Sequence, residues 1–284
     1  MSRLDEILLL VKHVPPFPKI AQRVMALLGE PDTEAADLAE VIKYDAAITA
    51  NVLKICNAAY FGLTRKVSSL DEALVVIGND ALKEIIVTSS SAKFYKGNVG
   101  AGYELAQGEL WRHSVAAAIM AKIIVKLPKQ KMKVDSGAAF TSALLHDIGK
   151  RFLSSFVSDD FENIIKKVDK EKCSFVEAEK EMLGATHAEI GGMILESWEF
   201  SKEMIDAVKQ HHDEDALEKE PLSALVALSN TMIISMGIGG GADGLATKIQ
   251  GKALGRFGIS GKDLDSCMVT LLTELERAEE LLNL

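Results

Sequence analysis

Histidines and carboxylates on the inward faces of several predicted helices are the residues of this chain best suited to chemistry. Five of the six histidines follow an apolar helical stripe, as in "ELWRHSVAAAIM" and "SKEMIDAVKQHHD", and one of them heads the run "HDIGK". The set consists of His113, His146, His187, His211 and His212, with Glu109 and Asp147 beside them.

A single histidine on an apolar face is usually a core residue with a hydrogen-bond partner. Five histidines in separate niches would each need a polar partner of their own, which is costly in a buried environment. One shared metal site satisfies all of them together. We therefore predict that the four helical segments that carry these histidines converge on such a site.

The donor set indicates which metals fit. It contains imidazole and carboxylate groups but no thiolate, which favours iron, manganese or zinc over copper(I) or an iron–sulfur cluster. The donors outnumber the four ligands of one tetrahedral shell. We therefore predict two divalent ions about 3.5–4 Å apart, bridged by Asp147 and a water.

Apolar residues recur with helical periodicity along most of the chain, as in "PKIAQRVMALL" and "PLSALVALSNTMIISMG", and useful strand alternation is absent. This pattern predicts an all-α fold. Thr186 and Glu189 form a capping-box pattern at the start of one helix. Gly149 is interpreted as a left-handed terminator of the helix that carries His146 and Asp147.

We predict three regions along the chain. Residues 1–98 form an amino-terminal helical subdomain that ends near "KGNVGAG", and residues 99–236 form the helical domain with the metal site. Residues 237–284 provide a glycine-rich loop and carboxy-terminal helices that pack on that domain. Asp45 and Asn57, in the first region, are interpreted as helix caps or helix–helix hydrogen-bonding groups.

Composition narrows the function classes. The net charge of −9 argues against binding to nucleic acid or to anionic membranes. Three cysteines without a CxxC motif suit a reducing cytoplasm. The start "MSRLDEILLLVKH" lacks the features of a signal peptide, and the apolar stretch 222–238 is short for a bilayer and contains polar residues. We expect a cytoplasmic protein in which this stretch is a buried helix.

The order H…HD…H…HH with "HDIGK" resembles the HD superfamily of metal-dependent phosphohydrolases. The segments "VPPFPKIAQRVMALL", "YDAAITANVLKICNAAYFG" and "VSSLDEALVVIG" resemble its HDOD branch more closely. The resemblance covers about residues 10 to 235. It implies an HD-type helical bundle preceded by a smaller helical subdomain, in a bacterial signalling protein.

The resemblance also implies roles for individual residues. The seven histidines and carboxylates named above match metal ligands of relatives that cleave cyclic dinucleotides, and Lys150 matches a lysine that contacts phosphate there. Asp147 and Lys150 are the catalytic candidates. Asn230 stands where the superfamily has a final aspartate, so it would be an uncharged, weaker metal ligand. The Gly-Tyr-Pro motif that follows the HH pair in those relatives is missing, which argues against cleavage of cyclic di-GMP.

Two functions stay open on the sequence. One is a signalling protein with a di-metal site that acts through an unknown protein partner or by sensing a ligand. The other is a metal-dependent phosphohydrolase that acts on a nucleotide or cyclic nucleotide, in which Lys150 neutralises charge on the phosphate. Lys150 has a simpler interpretation as a solvated lysine near a helix carboxyl terminus.

Overall fold

In a computed structural model, which describes residues 2–27, 30, 32–57, 66–95, 101–128, 133–242, 255 and 257–282, the chain is helical and these residues include no strand. The all-α prediction is therefore confirmed. The helices are α1 Arg3–Lys12, α2 Lys19–Leu27, α3 Ala35–Ile42, α4 Ala46–Cys56, α5 Leu70–Ala92, α6 Glu109–Val125, α7 Ser136–Leu145, α8 Ile148–Glu171, α9 Phe175–Leu183, α10 His187–Ser197, α11 Lys202–Lys209, α12 Glu214–Lys219, α13 Pro221–Ser235 and α14 Gly261–Leu282.

The chain divides into two compact units. The large unit consists of Met1–Val14, Phe94–Glu276 and Leu284, and the small unit consists of Pro15–Lys93 and Arg277–Asn283. Two short 3₁₀ turns, Lys93–Tyr95 and Ala101–Tyr103, lie near the point where the chain passes into the large unit. The region boundaries expected at residues 98 and 236 stay a prediction.

The small unit packs α2, α3 and α4 against the long helix α5. Helix α5 consists of two helical segments that meet at Gly78, whose φ of 74° is readily adopted only by glycine. Asn57 donates to the carbonyl of Val67 and accepts from its backbone N–H, both at 2.7 Å. Asp45 accepts from the backbone N–H of Ile48 at 3.0 Å. Both residues therefore hold backbone groups, as their interpretation as structural residues requires.

The large unit is built around neighbouring pairs of helices. Helix α6 packs on α7, α10 packs on α8 and α11, and α13 packs on α6, α7 and α11. Most of α13 is buried, including Leu222, Leu225 and Ile233, which agrees with the buried helix expected there. Within the described part of the chain, no helix combines the length and the apolar character needed to cross a bilayer.

Local sequence sets several helix starts in the large unit. The predicted capping box is present, since the Thr186 hydroxyl accepts from the backbone N–H of Glu189 and the Glu189 carboxylate accepts from that of Thr186. Helix α10 consequently begins at His187. Asp135 caps α7 by accepting from the backbone N–H of Ala138 at 2.7 Å.

The interpretation of Gly149 as a left-handed helix terminator is wrong. Helix α7 ends at Leu145, and α8 begins at Ile148, so Gly149 lies inside the first turn of α8. Its role is close packing, because a Cβ at this position would lie 1.9 Å from the carbonyl oxygen of His187. Glycine here lets α8 approach the start of α10.

Candidate metal centre

The corner between α7 and α8 is the centre of the site. His146 follows the last residue of α7 and Asp147 precedes the first residue of α8, so only these two residues separate the helices. Both side chains are completely buried. The corner points both side chains into the interior of the large unit, where they meet residues of α6, the start of α10 and the segment after α11.

The remaining histidines reach this corner from neighbouring helices. His113 comes from the buried face of α6, and His187 is the first residue of α10. His211 and His212 follow α11 directly. Helix α10 also packs closely on α11, since a Cβ on Gly191 would lie 3.0 Å from the side chain of Val208 on α11. Because Gly149 and Gly191 have no side chains, α10 can pack closely on α8 and α11, which brings His187 and the histidines after α11 to the corner.

The carboxylate of Asp147 lies between four imidazoles. Its Oδ2 is 3.2 Å from Nε2 of His113 and 3.3 Å from Nε2 of His146. Its Oδ1 is 3.5 Å from Nε2 of His187 and 3.8 Å from Nε2 of His211. His212 adds a fifth imidazole, with its Nε2 3.1 Å from that of His187.

Hydrogen bonds on the far side of each ring fix which nitrogen faces Asp147. Nδ1 of His113 lies 3.0 Å from the carbonyl of Ile238, and Nδ1 of His146 and of His211 lie 2.8 and 2.7 Å from the carbonyls of Ala143 and Val208. A carbonyl oxygen only accepts, so Nδ1 carries the proton in each of these rings. Their Nε2 atoms then present lone pairs to the centre.

These donors fit a metal cation. Lone pairs on several nitrogens face a buried carboxylate, an arrangement that is repulsive unless positive charge lies between them. Among the described residues, Asp147 Oδ1, His211 Nε2 and Asn230 Oδ1 are buried without a hydrogen-bond partner. Two ligand triplets each have their donor atoms within 4.8 Å of one another: His113, His146 and Asp147, and His187, His211 and His212.

The pKa values in the cluster reflect burial and mutual charge. Burial raises the pKa of Asp147, but favourable electrostatic interactions with His146 and Lys150 hold it well below its ordinary value. Burial, together with the neighbouring imidazoles, lowers the pKa of His211 and of His212 well below the ordinary value. Both rings are therefore neutral near pH 7, the form in which histidine binds metals.

Lys150 is not a solvated lysine. It lies in the first turn of α8 rather than near a helix carboxyl terminus, and only 2% of it is exposed. Its Nζ is 2.7 Å from Oδ2 of Asp147 and 5.7 Å from the centre of the Tyr103 ring. A buried ammonium group beside the carboxylate thus forms one wall of the centre.

Two predicted ligands lie differently from the histidines. Glu109 is exposed at the start of α6, where its carboxylate accepts from the backbone N–H of Ala106 at 2.6 Å. Asn230 is buried on α13, a helix that packs on α6, α7 and α11. Their roles as ligands stay predictions. His13, the sixth histidine, is exposed directly after α1, with its Nδ1 2.7 Å from the carbonyl of Leu9.

Sequence reasoning missed two residues behind His187. Glu179 on α9 is completely buried and accepts from both the backbone N–H and the Nδ1–H of His187, at 2.8 and 2.9 Å. The hydroxyl of Tyr103 donates to the other carboxylate oxygen. A signal for Glu179 was present, because it lies between Phe175 and Leu183 on one helical stripe of buried residues.

An all-helical unit in which a His–Asp corner meets histidines from neighbouring helices defines an HD-type helical protein. A family model described as the HDOD domain matches residues 14–214. The chain therefore belongs to the HDOD family.

Solved structures share this fold. An HDOD domain protein of unknown function from Geobacter sulfurreducens is 25% identical, with 98% of each chain covered and a TM-score of 0.74. A candidate phosphohydrolase from Shewanella amazonensis is 20% identical, with 97% of each chain covered and a TM-score of 0.69. A candidate signal transduction protein from Marinobacter aquaeolei is 17% identical, covering all of this chain and 62% of that one, with a TM-score of 0.76.

A curated relative from Treponema pallidum, whose role is not characterised, is 24% identical over 240 residues, which is 78% of this chain. The chain spans 42% of the length of that relative.

Proposed function

We propose that this chain is an HDOD signalling protein that holds divalent metal in the His–Asp centre and acts by binding a protein partner or sensing a ligand. The observation that carries the proposal is the convergence of four Nε2 atoms on the buried carboxylate of Asp147. The residues that would hold the metal are His113, His146, Asp147, His187, His211 and His212.

The arrangement of the donors supports two ions. Each oxygen of Asp147 faces its own pair of imidazoles, so a bridging carboxylate could serve a separate ion on either side. Imidazole and carboxylate ligands suit iron, manganese or zinc. When bound, such ions supply Lewis acidity toward phosphoryl oxygens and water. They would also tie α6, α7, α8, α10 and the end of α11 together.

Two observations favour signalling over catalysis. Asn230 would contribute no charge to the centre, unlike the aspartate expected there from the superfamily. The Marinobacter aquaeolei protein with the same fold is named as a candidate for signal transduction. If the protein acts by binding a partner, the metal centre would have a structural or ligand-sensing role. The ammonium group of Lys150 would suit a phosphate-containing small molecule as the ligand.

Metal content tests the proposal directly. Protein purified without an immobilised-metal column is measured by plasma mass spectrometry before and after incubation with iron, manganese or zinc. We expect about two ions per chain, and fewer in His146→Ala and His187→Ala. His13→Ala changes an exposed histidine that is not part of the cluster. It serves as the control and should keep the full metal content. A wild-type protein that stays metal-free under all three incubations would refute the proposal.

A second candidate function is phosphoester hydrolysis on a nucleotide or cyclic nucleotide. The buried Lys150 favours it, because its ammonium group lies 2.7 Å from Asp147 and can neutralise charge on a phosphoryl group brought to the centre. The Shewanella amazonensis protein with the same fold is named as a candidate phosphohydrolase, which also favours hydrolysis. Burial of Lys150 also keeps competing water away, which strengthens its interaction with an anion.

Hydrolysis is tested with bis-p-nitrophenyl phosphate and cyclic dinucleotides in the presence of manganese, iron or zinc. Lys150→Met should lower turnover by about 10²–10³-fold, whereas Lys209→Met, an exposed lysine on α11, should not change it. Metal-dependent turnover that disappears in His146→Ala would favour this candidate over a purely signalling protein. Absence of turnover with every metal would remove it.

A further inference from the structure

Glu179 is a buried carboxylate that belongs to neither of the two ligand triplets found among the described residues. It is completely inaccessible, and a buried carboxylate is costly unless its oxygens are well paired. Both oxygens have donors: one accepts from the backbone and ring N–H groups of His187, and the other accepts from the hydroxyl of Tyr103. The three hydrogen bonds that this carboxylate accepts therefore come from one predicted metal ligand and one tyrosine.

His187 needs such a partner because of its position. His146 and His211 each donate Nδ1–H to the carbonyl three residues earlier, at the end of a preceding helix. His187 is the first residue of α10, and the carbonyl three residues earlier belongs to Gly184, which lies beyond the end of α9 at Leu183. Its backbone N–H is also one of the unpaired donors of a helix start. Glu179 accepts from both groups, and its negative charge is favourable beside a helix amino terminus.

Tyr103 is itself held in place. The turn Ala101–Tyr103 packs on α8 so tightly that a Cβ on Gly102 would lie 2.3 Å from the carbonyl oxygen of Ser154. The backbone carbonyl of Tyr103 accepts from the N–H of Ala242 at 2.8 Å. The ring meets that of His187 edge-on, with 6.2 Å between centres. The hydroxyl that reaches Glu179 is thus fixed by packing on α8.

We propose that Glu179 is the positioning residue that directs Nε2 of His187 at the metal centre, and that Tyr103 positions Glu179. The inference rests on the proposed metal site and extends it. A carboxylate on Nδ1–H fixes the tautomer and orientation of a ligating histidine and increases its basicity. The other three histidines around Asp147 rely on backbone carbonyls, so His187 is the one whose orientation a single side-chain substitution can release.

Two readouts test the proposal. Metal affinity is measured by competition with a chromophoric chelator, using Mn²⁺ and Zn²⁺. We expect Glu179→Gln to weaken binding about 10–100-fold, and Tyr103→Phe to weaken it less. Glu181→Gln is the matched control, because Glu181 is an exposed carboxylate two residues further along α9 and should leave affinity unchanged.

The second readout is the tautomer of His187 in metal-free protein at pH 9, from long-range proton–nitrogen correlation spectra. We expect the Nδ1–H form in the wild type and a shift toward Nε2–H in Glu179→Gln, with a smaller shift in the same direction in Tyr103→Phe. A variant that merely packs less well would lose stability without this change. If Glu179→Gln does not fold, Tyr103→Phe carries both measurements.

Unchanged affinity together with an unchanged tautomer in these variants would overturn the inference. If the wild type binds no metal, the proposed function fails. The tautomer measurement then decides the positioning role by itself, since it requires no ion.

Discussion

His211 shows how one side chain can serve both packing and ligation. Its ring is buried, its Nδ1–H is bonded to the carbonyl of Val208, and its Nε2 is directed at Asp147. Packing and the backbone bond contribute to folding with or without an ion. The nitrogen that faces Asp147 contributes only when a cation is bound.

His211→Ala should therefore destabilise metal-loaded protein more than chelator-treated protein. A ligand present at 100 times its dissociation constant stabilises the folded state by about 2.7 kcal/mol, and much of that stabilisation should disappear with the imidazole. Thermal unfolding of both forms measures the difference. His13→Ala provides the comparison, and equal losses in the two forms of His211→Ala would mean that the ring only packs.

Gly149 sets how closely two parts of the centre approach. Gly149→Ala should lower the free energy of unfolding by about 1–3 kcal/mol, because the new methyl group would displace the backbone of His187 from α8. Gly261→Ala adds the same methyl group into open space at the start of α14 and should be nearly neutral. Denaturant titration of both variants checks the prediction, and similar stabilities would contradict it.

The apolar stripes of the sequence placed five histidines on inward helix faces, and the structure brings them together around Asp147. Their role as metal ligands stays a prediction. The sequence did not predict the packing role of Gly149, because a glycine after a helix is commonly a helix terminator. The carbonyl that excludes a side chain at this position belongs to His187, which lies 38 positions later in the chain. Glu109 lies on the same apolar stripe as His113, yet its carboxylate accepts a hydrogen bond from the backbone N–H of Ala106, just before α6. Local periodicity does not distinguish a side chain that points into the cluster from one that bonds to the backbone at the start of its helix.

Helix starts were the most predictable elements, because their signals lie within four residues. The capping box of α10 places His187, and the Lys180 ammonium group reinforces it by contacting both Glu189 oxygens at 2.7 and 2.8 Å. Burial raises the pKa of Glu189, but the hydrogen bonds from Lys180 and the backbone of Thr186 outweigh it and leave the pKa below its usual value.

A lowered pKa in the folded state means that ionised Glu189 stabilises the protein above the unfolded pKa, and that this contribution disappears as the pH falls through the folded value. Glu189→Gln should thus reduce stability by up to about 1 kcal/mol at pH 7, and the difference from wild type should shrink in acid as the pH falls through the lowered pKa of Glu189.

Urea unfolding across this pH range measures the effect of Glu189→Gln. The double variant Lys180→Met/Glu189→Gln should lose less than the sum of the single losses, since both changes break one interaction. A gap between wild type and Glu189→Gln that widened in acid would contradict the assignment.

Which helices pack together could not be read from the sequence. Periodicity identifies the apolar face of α1, for example, but not that α1 packs on α8 and α10, more than 130 positions away along the chain. Such pairings depend on shape complementarity between faces that look alike in one dimension. The fold class was therefore predictable, while the membership of the two units was not.

The division into units predicts a localised response to metal. Removing the ions with a chelator should speed amide exchange in α6, α7, α10 and α11 by up to about 100-fold for a site filled at 100 times its dissociation constant. Helices α2 to α5 should keep their protection, because the proposed ligands all lie in the large unit. Hydrogen exchange by mass spectrometry resolves the two sets, and equal acceleration in both would contradict a metal site confined to the large unit.

The hydrogen bond from His113 to the carbonyl of Ile238 spans 125 positions and reaches beyond the end of α13. Gly239 continues the contact, since a Cβ there would lie 2.7 Å from Cβ of His113. A fragment truncated after residue 236 would retain every histidine of the cluster and still lose the acceptor that sets the His113 ring. The smallest excised piece able to reproduce the native ligand orientation must accordingly include these two residues, although neither has a donor side chain of its own.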